Sequence, residues 1–155
     1  MLTAGSNVLE LLDHIKAEGM VVDHRVVKQA SVYSFGDSRY TVEVTIEFPK
    51  WLGLNFILHD SKIEYSIDTD VYNLADPANQ TFVEEIEAEI VEFLHNLTDN
   101  RIKITHRKNR ASLLIPRKAG DILIKQGRFM VSQTTLKSSA DIVDKDSFST
   151  FTFKE

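Results

Sequence analysis

Hydrophobic residues recur at two different spacings along the chain, and each spacing predicts a different kind of element. Near the start, Val8, Leu12 and Ile15 lie three or four positions apart, which is the period of an amphipathic helix. Residues 39–48 instead alternate strictly between apolar and polar side chains, as expected for a strand with one buried face. The chain therefore combines a helical pattern with a half-exposed strand pattern.

The longest helical pattern covers residues 79–97. Its apolar stripe includes Val83, Ile90 and Leu97, while glutamates fill most of the remaining positions. Asp76-Pro77, just before the pattern, is typical of a helix start. We predict one long central helix with an acidic outer surface. The glutamates assigned to that surface are Glu84, Glu85, Glu87, Glu89 and Glu92.

The rest of the chain carries strand patterns separated by short turns. Residues 51–58 form an apolar run typical of a buried strand, and residues 63–67 alternate again. Strands joined by short turns pair antiparallel, and strands that do not alternate with helices argue against a parallel doubly wound sheet. We therefore predict a single α+β domain over residues 1–155, with a mostly antiparallel sheet of about seven to nine strands, an N-terminal helix and the long central helix 79–97.

The composition is that of an ordinary globular protein, with 43% hydrophobic and 26% charged residues in 155. The absence of cysteine excludes a disulfide framework, a thiolate metal site and a cysteine nucleophile. The first residues lack the basic segment of a signal peptide, and no apolar run approaches the ~20 residues of a membrane span. We expect a soluble, cytoplasmic protein without a metal, a cofactor or a membrane partner.

Charge is divided sharply along the chain, although the formal net charge is only −5. Residues 60–100 contain eleven acidic side chains and one basic side chain, Lys62. Residues 101–118 contain seven basic side chains and no acidic ones. The two stretches could pair within the fold, where exposed ion pairs contribute only about 0–1 kcal/mol each. Otherwise, one of them faces a partner of opposite charge.

The acidic stretch favours a protein partner. An acidic surface attracts a basic protein such as a nuclease, because its carboxylates imitate the phosphates of nucleic acid. We expect a non-catalytic protein-binding module, in its most specific form a bacterial immunity protein that neutralises a basic toxin. A small acidic secretion chaperone is an alternative. The predicted contact residues are Glu64, Asp68 and Asp70 on one strand face and Glu85, Glu89 and Glu92 on the long helix.

The basic stretch supports a second alternative, in which a strand–turn–strand segment over residues 101–118 binds the phosphates of a nucleic acid. Two observations argue against it. The rest of the chain is strongly acidic, and the segment has no aromatic side chain on which a base could stack. The residues of this alternative are Arg101, Lys103, Arg107, Lys108 and Arg110.

Motifs for metal binding or catalysis are weak. Asp68-Thr69-Asp70 has two carboxylates at the spacing of a calcium loop, but Tyr72 and Asn73 stand where that loop needs an oxygen ligand and a glycine. The five histidines are scattered, and His59 beside Asp60 is the nearest approach to a base with an orienting acid. We predict no enzymatic reaction, although catalytic groups can assemble from distant positions.

Trp51 is the single tryptophan of the chain. It stands at the start of the apolar run 51–58. A tryptophan in that place most often caps a hydrophobic core, and we interpret Trp51 in this way. The alternative is a lone exposed tryptophan that anchors a binding partner.

Overall fold

The computed structural model describes residues 6–47, 51–69, 76–107, 110–136 and 148–154. Within these ranges the chain is α+β, with two α-helices and ten strands that form two antiparallel sheets of five strands each. The chain divides into two compact units, each of which contains one sheet. The first unit comprises Met1–His59 and Glu64–Val91, and the second comprises Asp60–Ile63 and Glu92–Glu155.

The predicted class is confirmed, including the N-terminal helix and the one long helix. The prediction of one sheet with about seven to nine strands is wrong, because the described residues form ten strands in two sheets. Residues 20–35, which are rich in β-branched side chains, contain two paired strands, since Lys28 takes a φ of 59° and turns the chain between them. In the sequence, the long helix follows the first five strands and precedes the other five. The assignment of a single domain stays a prediction.

The first unit starts with helix α1 (Ser6–Ala17), which buries Val8, Leu12 and Ile15 as the helical pattern predicts. Five strands follow, and each pairs antiparallel with the next in sequence order. Short connections allow this arrangement because neighbouring strands need only a turn to reverse direction. The strands are β1 (Asp23–Val27), β2 (Ala30–Gly36), β3 (Tyr40–Glu47), β4 (Trp51–Leu58) and β5 (Glu64–Asp68).

Register separates the first sheet into two faces, because residues that pair directly lie on the same side. One face is apolar and buried, and a typical row of it runs through Val44, Leu54 and Ile67. The buried side chains of α1 and of the first half of helix α2 (Gln80–Thr98) belong to the same unit. The other side of the sheet carries mostly polar and charged side chains, together with Val32, Trp51 and Ile57.

Helix α2 contradicts the sequence pattern at Glu87. This residue is only 8% exposed and its Oε1 accepts a hydrogen bond of 2.9 Å from the backbone N–H of Asn7. Glu87 lies four positions after Val83 and three before Ile90, so it falls on the apolar stripe. Its assignment to the outer surface was wrong, because its position on the helix places it in the apolar stripe although its side chain is polar. The carboxylate satisfies an N–H group at the start of α1.

The second unit contains the C-terminal half of α2 and the second sheet. Its core is a face on which Ile104, Leu113 and Ile124 form one row, all of them buried. On the opposite face Leu114, Leu123 and Leu136 form a smaller cluster against which Phe148 packs. The strand order is β10-β6-β7-β8-β9, for β6 (Lys103–Arg107), β7 (Arg110–Ile115), β8 (Ile122–Gln126), β9 (Val131–Thr135) and β10 (Ser149–Thr150).

Candidate functional site

The polar face of the first sheet collects acidic side chains from three of its strands, β1, β3 and β5. Directly paired residues form two central rows, Asp23–Ser34–Glu43–Asn55–Ser66 and Arg25–Val32–Thr45–Gly53–Asp68. Strand alternation adds Glu47 beside Trp51 at one end and Glu64 at the other. We call this surface the acidic sheet face. Among the described strand residues of this face Arg25 is the one cation, and the carboxylates are Asp23, Glu43, Glu47, Glu64 and Asp68.

Trp51 lies on the acidic sheet face and not in the core. Strand alternation places it with Gly53, Asn55 and Ile57, opposite to the buried Leu52 and Leu54. A Cβ atom at Gly53 would come within 2.9 Å of the indole Nε1 and 3.2 Å of the Cβ of Asp68. The missing side chain of Gly53 therefore gives the indole room to lie along β4. Its side chain is half-buried and does not lie among the core residues Leu52 and Leu54, and a role as a binding anchor stays a prediction.

Hydrogen bonds within the acidic sheet face order several of its side chains. Ser66 donates from Oγ to Oδ1 of Asn55 at 2.8 Å, across two adjacent strands. Arg25 donates from Nη2 to Oε1 of Glu43 at 3.1 Å, and their side chains are 60% and 34% exposed. An ion pair so exposed neutralises little of the local field and contributes roughly 0–1 kcal/mol. The face therefore carries polar side chains that are ordered by hydrogen bonds, together with a net negative charge.

The six acidic residues predicted as contacts fall into two groups. Glu64 is exposed and Asp68 is half-buried on the acidic sheet face, and Asp70 lies outside the described residues. The other three form one stripe along α2, where Glu85 is exposed and Glu89 and Glu92 are half-buried. Glu85, Glu89 and Glu92 lie on α2, so they are not among the strand residues that form the acidic sheet face.

Three carboxylates of the acidic sheet face escaped the sequence-based prediction, namely Asp23, Glu43 and Glu47. They lie outside the stretch 60–100, where acidic residues are dense along the chain. The signal that could have found two of them is the strict alternation of residues 39–48, which places Glu43 and Glu47 on the polar side of a strand. Charge accumulates across paired strands here, and a count along the sequence does not detect it.

The basic stretch uses several of its donors inside the second unit. Arg101 pairs with Asp99 at 2.9 Å, Lys103 donates to Oγ1 of Thr150 at 2.9 Å, and Arg117 donates from Nε to the carbonyl of Gly120 at 3.0 Å. Lys108 lies outside the described residues, as does the side chain of Arg107. Of the predicted phosphate-binding residues, Arg110 is exposed at the start of β7.

The two charged stretches meet where one ends and the other begins. The pair between Asp99 and Arg101 joins side chains that are 48% and 60% exposed. Glu92 in addition accepts a hydrogen bond of 3.2 Å from the backbone N–H of Lys118. Both contacts lie in the second unit and involve neither Glu64 nor the other carboxylates of the acidic sheet face. These contacts with the basic stretch therefore do not neutralise the negative charge of that face.

The sequence suggested Asp60 as the partner of His59, but the ring of His59 contacts Ser38 and Thr41. Its Nδ1 lies 2.9 Å from the carbonyl oxygen of Ser38, and its Nε2 lies 2.6 Å from Oγ1 of Thr41. A carbonyl only accepts, so Nδ1 carries the proton and Nε2 accepts the hydroxyl proton of Thr41. The contact joins the end of β4 to the turn between β2 and β3. Among the described residues no three histidine or acidic side chains are grouped as metal ligands.

Comparisons with protein-family models, with curated proteins and with solved structures find no match to this chain. No helix within the described ranges is both long enough and apolar enough to cross a membrane.

Proposed function

We propose that the protein is a non-catalytic binding module that neutralises a basic protein, such as a nuclease toxin, in the manner of a bacterial immunity protein. The acidic sheet face is the contact surface in this proposal. The observation that carries it is a sheet face with five carboxylates and one half-buried tryptophan, with Arg25 as the cation on the described part of that face.

Electrostatics supports a basic partner. Carboxylates of one sign on a rigid surface attract opposite charge over about a Debye length, ~8–10 Å at moderate salt, and so raise the rate of encounter. Complementary charge also fixes the orientation in which two proteins dock. The same field repels the phosphates of a nucleic acid, which disfavours direct binding of DNA or RNA to this face.

Trp51 provides the short-range part of the interaction. Tryptophan is among the residues that dominate measured binding energies, because a large, rigid ring loses little conformational entropy when it is covered. The indole is already held along β4 over Gly53. Hydroxyl and amide groups of Ser66 and Asn55 lie on the same face and are ordered by their mutual hydrogen bond. A preorganised surface of this kind reduces the cost of association.

Neutralisation follows from competition for the same basic side chains. A nuclease binds substrate phosphates through lysine and arginine residues around its cleft. Carboxylates on alternate strands, roughly 10 Å apart in the direction of pairing, can occupy several of those residues at once. Occupation of the cleft then excludes the substrate without any chemical step by the inhibitor.

Co-expression with the product of the neighbouring gene, followed by co-purification, tests the proposal. The informative variant combines Glu47→Lys with Glu64→Lys, because Glu43 pairs with Arg25 and Asp68 has a contact of its own in the fold. The matched control combines Glu10→Lys with Asp13→Lys on the exposed side of α1, which changes the net charge by the same amount. We expect the wild type and the control to retain a basic partner and the face variant to lose it.

Two results would contradict the proposal. One is retention of the partner by the face variant and the wild type alike. The other is retention of a neutral or acidic partner in place of a basic one. Thermal melting of all three proteins, monitored by circular dichroism, establishes that the variants are folded before binding is compared.

A further inference from the structure

Strand β9 forms one edge of the second sheet. It is the last strand in the order of that sheet and pairs with β8 on one side. All five of its residues, Val131–Thr135, are exposed. A strand in this position presents backbone N–H and C=O groups of alternate residues away from the sheet, where another strand can pair with them.

The hydrogen bonds that flank β9 identify the outward groups. The N–H of Gly127 donates to the carbonyl of Met130 at 2.8 Å, and the N–H of Leu136 donates to the carbonyl of Asp121 at 2.7 Å. Even-numbered residues therefore direct their backbone groups toward β8. In an antiparallel strand this direction alternates. The outward residues are Val131, Gln133 and Thr135.

β9 also lacks the features with which proteins protect an open edge. Charged side chains, proline and short length all discourage pairing with another chain. Edge strand β1 carries Asp23 and Arg25, and edge strand β5 carries Glu64 and Asp68. Edge strand β10 has two residues. The sequence of β9 is Val-Ser-Gln-Thr-Thr, without a charge or a proline and with three β-branched residues.

We infer that β9 pairs antiparallel with β9 of a second copy of this chain, around a twofold axis that passes beside Gln133. Val131 of each copy then faces Thr135 of the other, and Gln133 faces itself. Because the outward residues are spaced symmetrically about Gln133, every outward N–H and C=O group of both strands finds a partner. The second sheet of one copy and the second sheet of the other, each of five strands, then form one continuous sheet.

A second copy fits this edge better than an unrelated peptide because it also covers exposed apolar side chains. The turn before β9 exposes Phe129 and Met130, at 86% and 76%. In the proposed register Met130 lies opposite Leu136 of the second copy. Leu136 belongs to the cluster with Leu114, Leu123 and Phe148, so Met130 extends that cluster. No like charges oppose one another along the paired strands.

Sedimentation equilibrium of the full chain over a range of concentrations tests this inference. We expect a monomer–dimer equilibrium that Gln133→Pro weakens at least about tenfold, since proline removes the central N–H of both copies. The substitution leaves the pairing with β8 intact because that N–H points outward. Val26→Pro is the matched control in edge strand β1. Val26 is exposed, and the two-residue turn after Val27 directs its N–H outward as well.

A cysteine reporter keeps the inference testable if the proline variant does not fold. The chain has no cysteine, so Gln133→Cys introduces a single thiol. Directly opposed residues that share hydrogen bonds have Cα atoms about 5.5 Å apart, which suits a disulfide. Mild oxidation should give a covalent dimer with Gln133→Cys and little with Val26→Cys. A monomer at every concentration, equal dimerisation of both proline variants, or equal cross-linking of both cysteine variants would overturn the inference.

Discussion

Asn100 lies two residues after the end of helix α2 and takes a backbone conformation that few residues tolerate. Its φ is 58°, and two backbone hydrogen bonds, from Asn100 to Leu97 and from Arg101 to Asn96, close the last turn. Glycine is the usual residue at this position. Asparagine serves here because its Oδ1 also accepts a hydrogen bond of 2.7 Å from the backbone N–H of Phe153. One side chain thus ends the helix and fastens the C-terminal segment of the second unit.

Substitutions at Asn100 should separate these two roles. Asn100→Gly keeps the conformation but loses the hydrogen bond to Phe153, and we expect a loss of about 1 kcal/mol in the free energy of unfolding. Asn100→Ala loses the bond and also adds roughly 1 kcal/mol or more of left-handed strain. In urea denaturation, the free energy of unfolding should be highest for the wild type, lower for Asn100→Gly and lowest for Asn100→Ala. An alanine variant as stable as the glycine variant would contradict this account.

Asp37 lies in the turn between β2 and β3 and binds Arg39 at 2.7 Å between Oδ2 and Nη2. Partial burial by itself would raise the pKa of Asp37. Hydrogen bonds from the side chain and backbone of Arg39, together with its charge, outweigh that effect and hold the pKa below its ordinary value of 3.8. Burial beside this turn, reinforced by the charge of Asp37, raises the pKa of Tyr40 well above its ordinary value.

The lowered pKa of Asp37 predicts a loss of stability in acid. The carboxylate form is favoured by folding, so its contribution is complete above the ordinary pKa of 3.8 and disappears as the pH falls through the lower pKa of the folded state. Asp37→Asn should reduce stability by about 1 kcal/mol at pH 7. The difference between the two proteins should shrink below about pH 4. Urea denaturation of both proteins from pH 7 to pH 2 measures this difference in the free energy of unfolding. A difference that does not change with pH would contradict the prediction.

At the scale of elements, Glu87 connects the two helices of the first unit. Its buried carboxylate on α2 accepts the hydrogen bond from Asn7 at the start of α1. Glu87→Leu preserves the apolar stripe but leaves that N–H without this acceptor, so we expect a loss of about 1–3 kcal/mol. Glu87→Gln keeps an acceptor oxygen and should lose less. Urea denaturation of both variants tests this, and a leucine variant at least as stable as the wild type would contradict it.

The sequence predicted most elements because their patterns are local. Residues 39–48 and 63–67 alternate as half-buried strands do, and the spacing in 79–97 matches a helix. Lys28 carries no turn signal, so the hairpin of β1 and β2 escaped the prediction. The division into two sheets depends on long-range pairing, such as that between Ser149 and Ile104, which no local pattern specifies.

At the scale of the whole molecule, charge along the sequence was an incomplete guide to charge on the surface. It identified Glu64 and Asp68, which lie on the acidic sheet face, together with the stripe on α2. It missed Glu43 and Glu47, which join Glu64 and Asp68 only after β3, β4 and β5 pair. Register, and not density along the chain, determines which carboxylates act together. The proposed function therefore depends on one face of one sheet.

The association rate of the wild-type protein with its co-purified partner, measured by stopped-flow fluorescence at low and high salt, tests the central claim most directly. We expect Glu47→Lys with Glu64→Lys to slow association about tenfold at low salt, and we expect high salt to remove most of the difference. The control with Glu10→Lys and Asp13→Lys should stay close to the wild type. Equal rates for the face variant and the wild type at low salt, or equal slowing by the control, would contradict the claim that the acidic sheet face binds the partner.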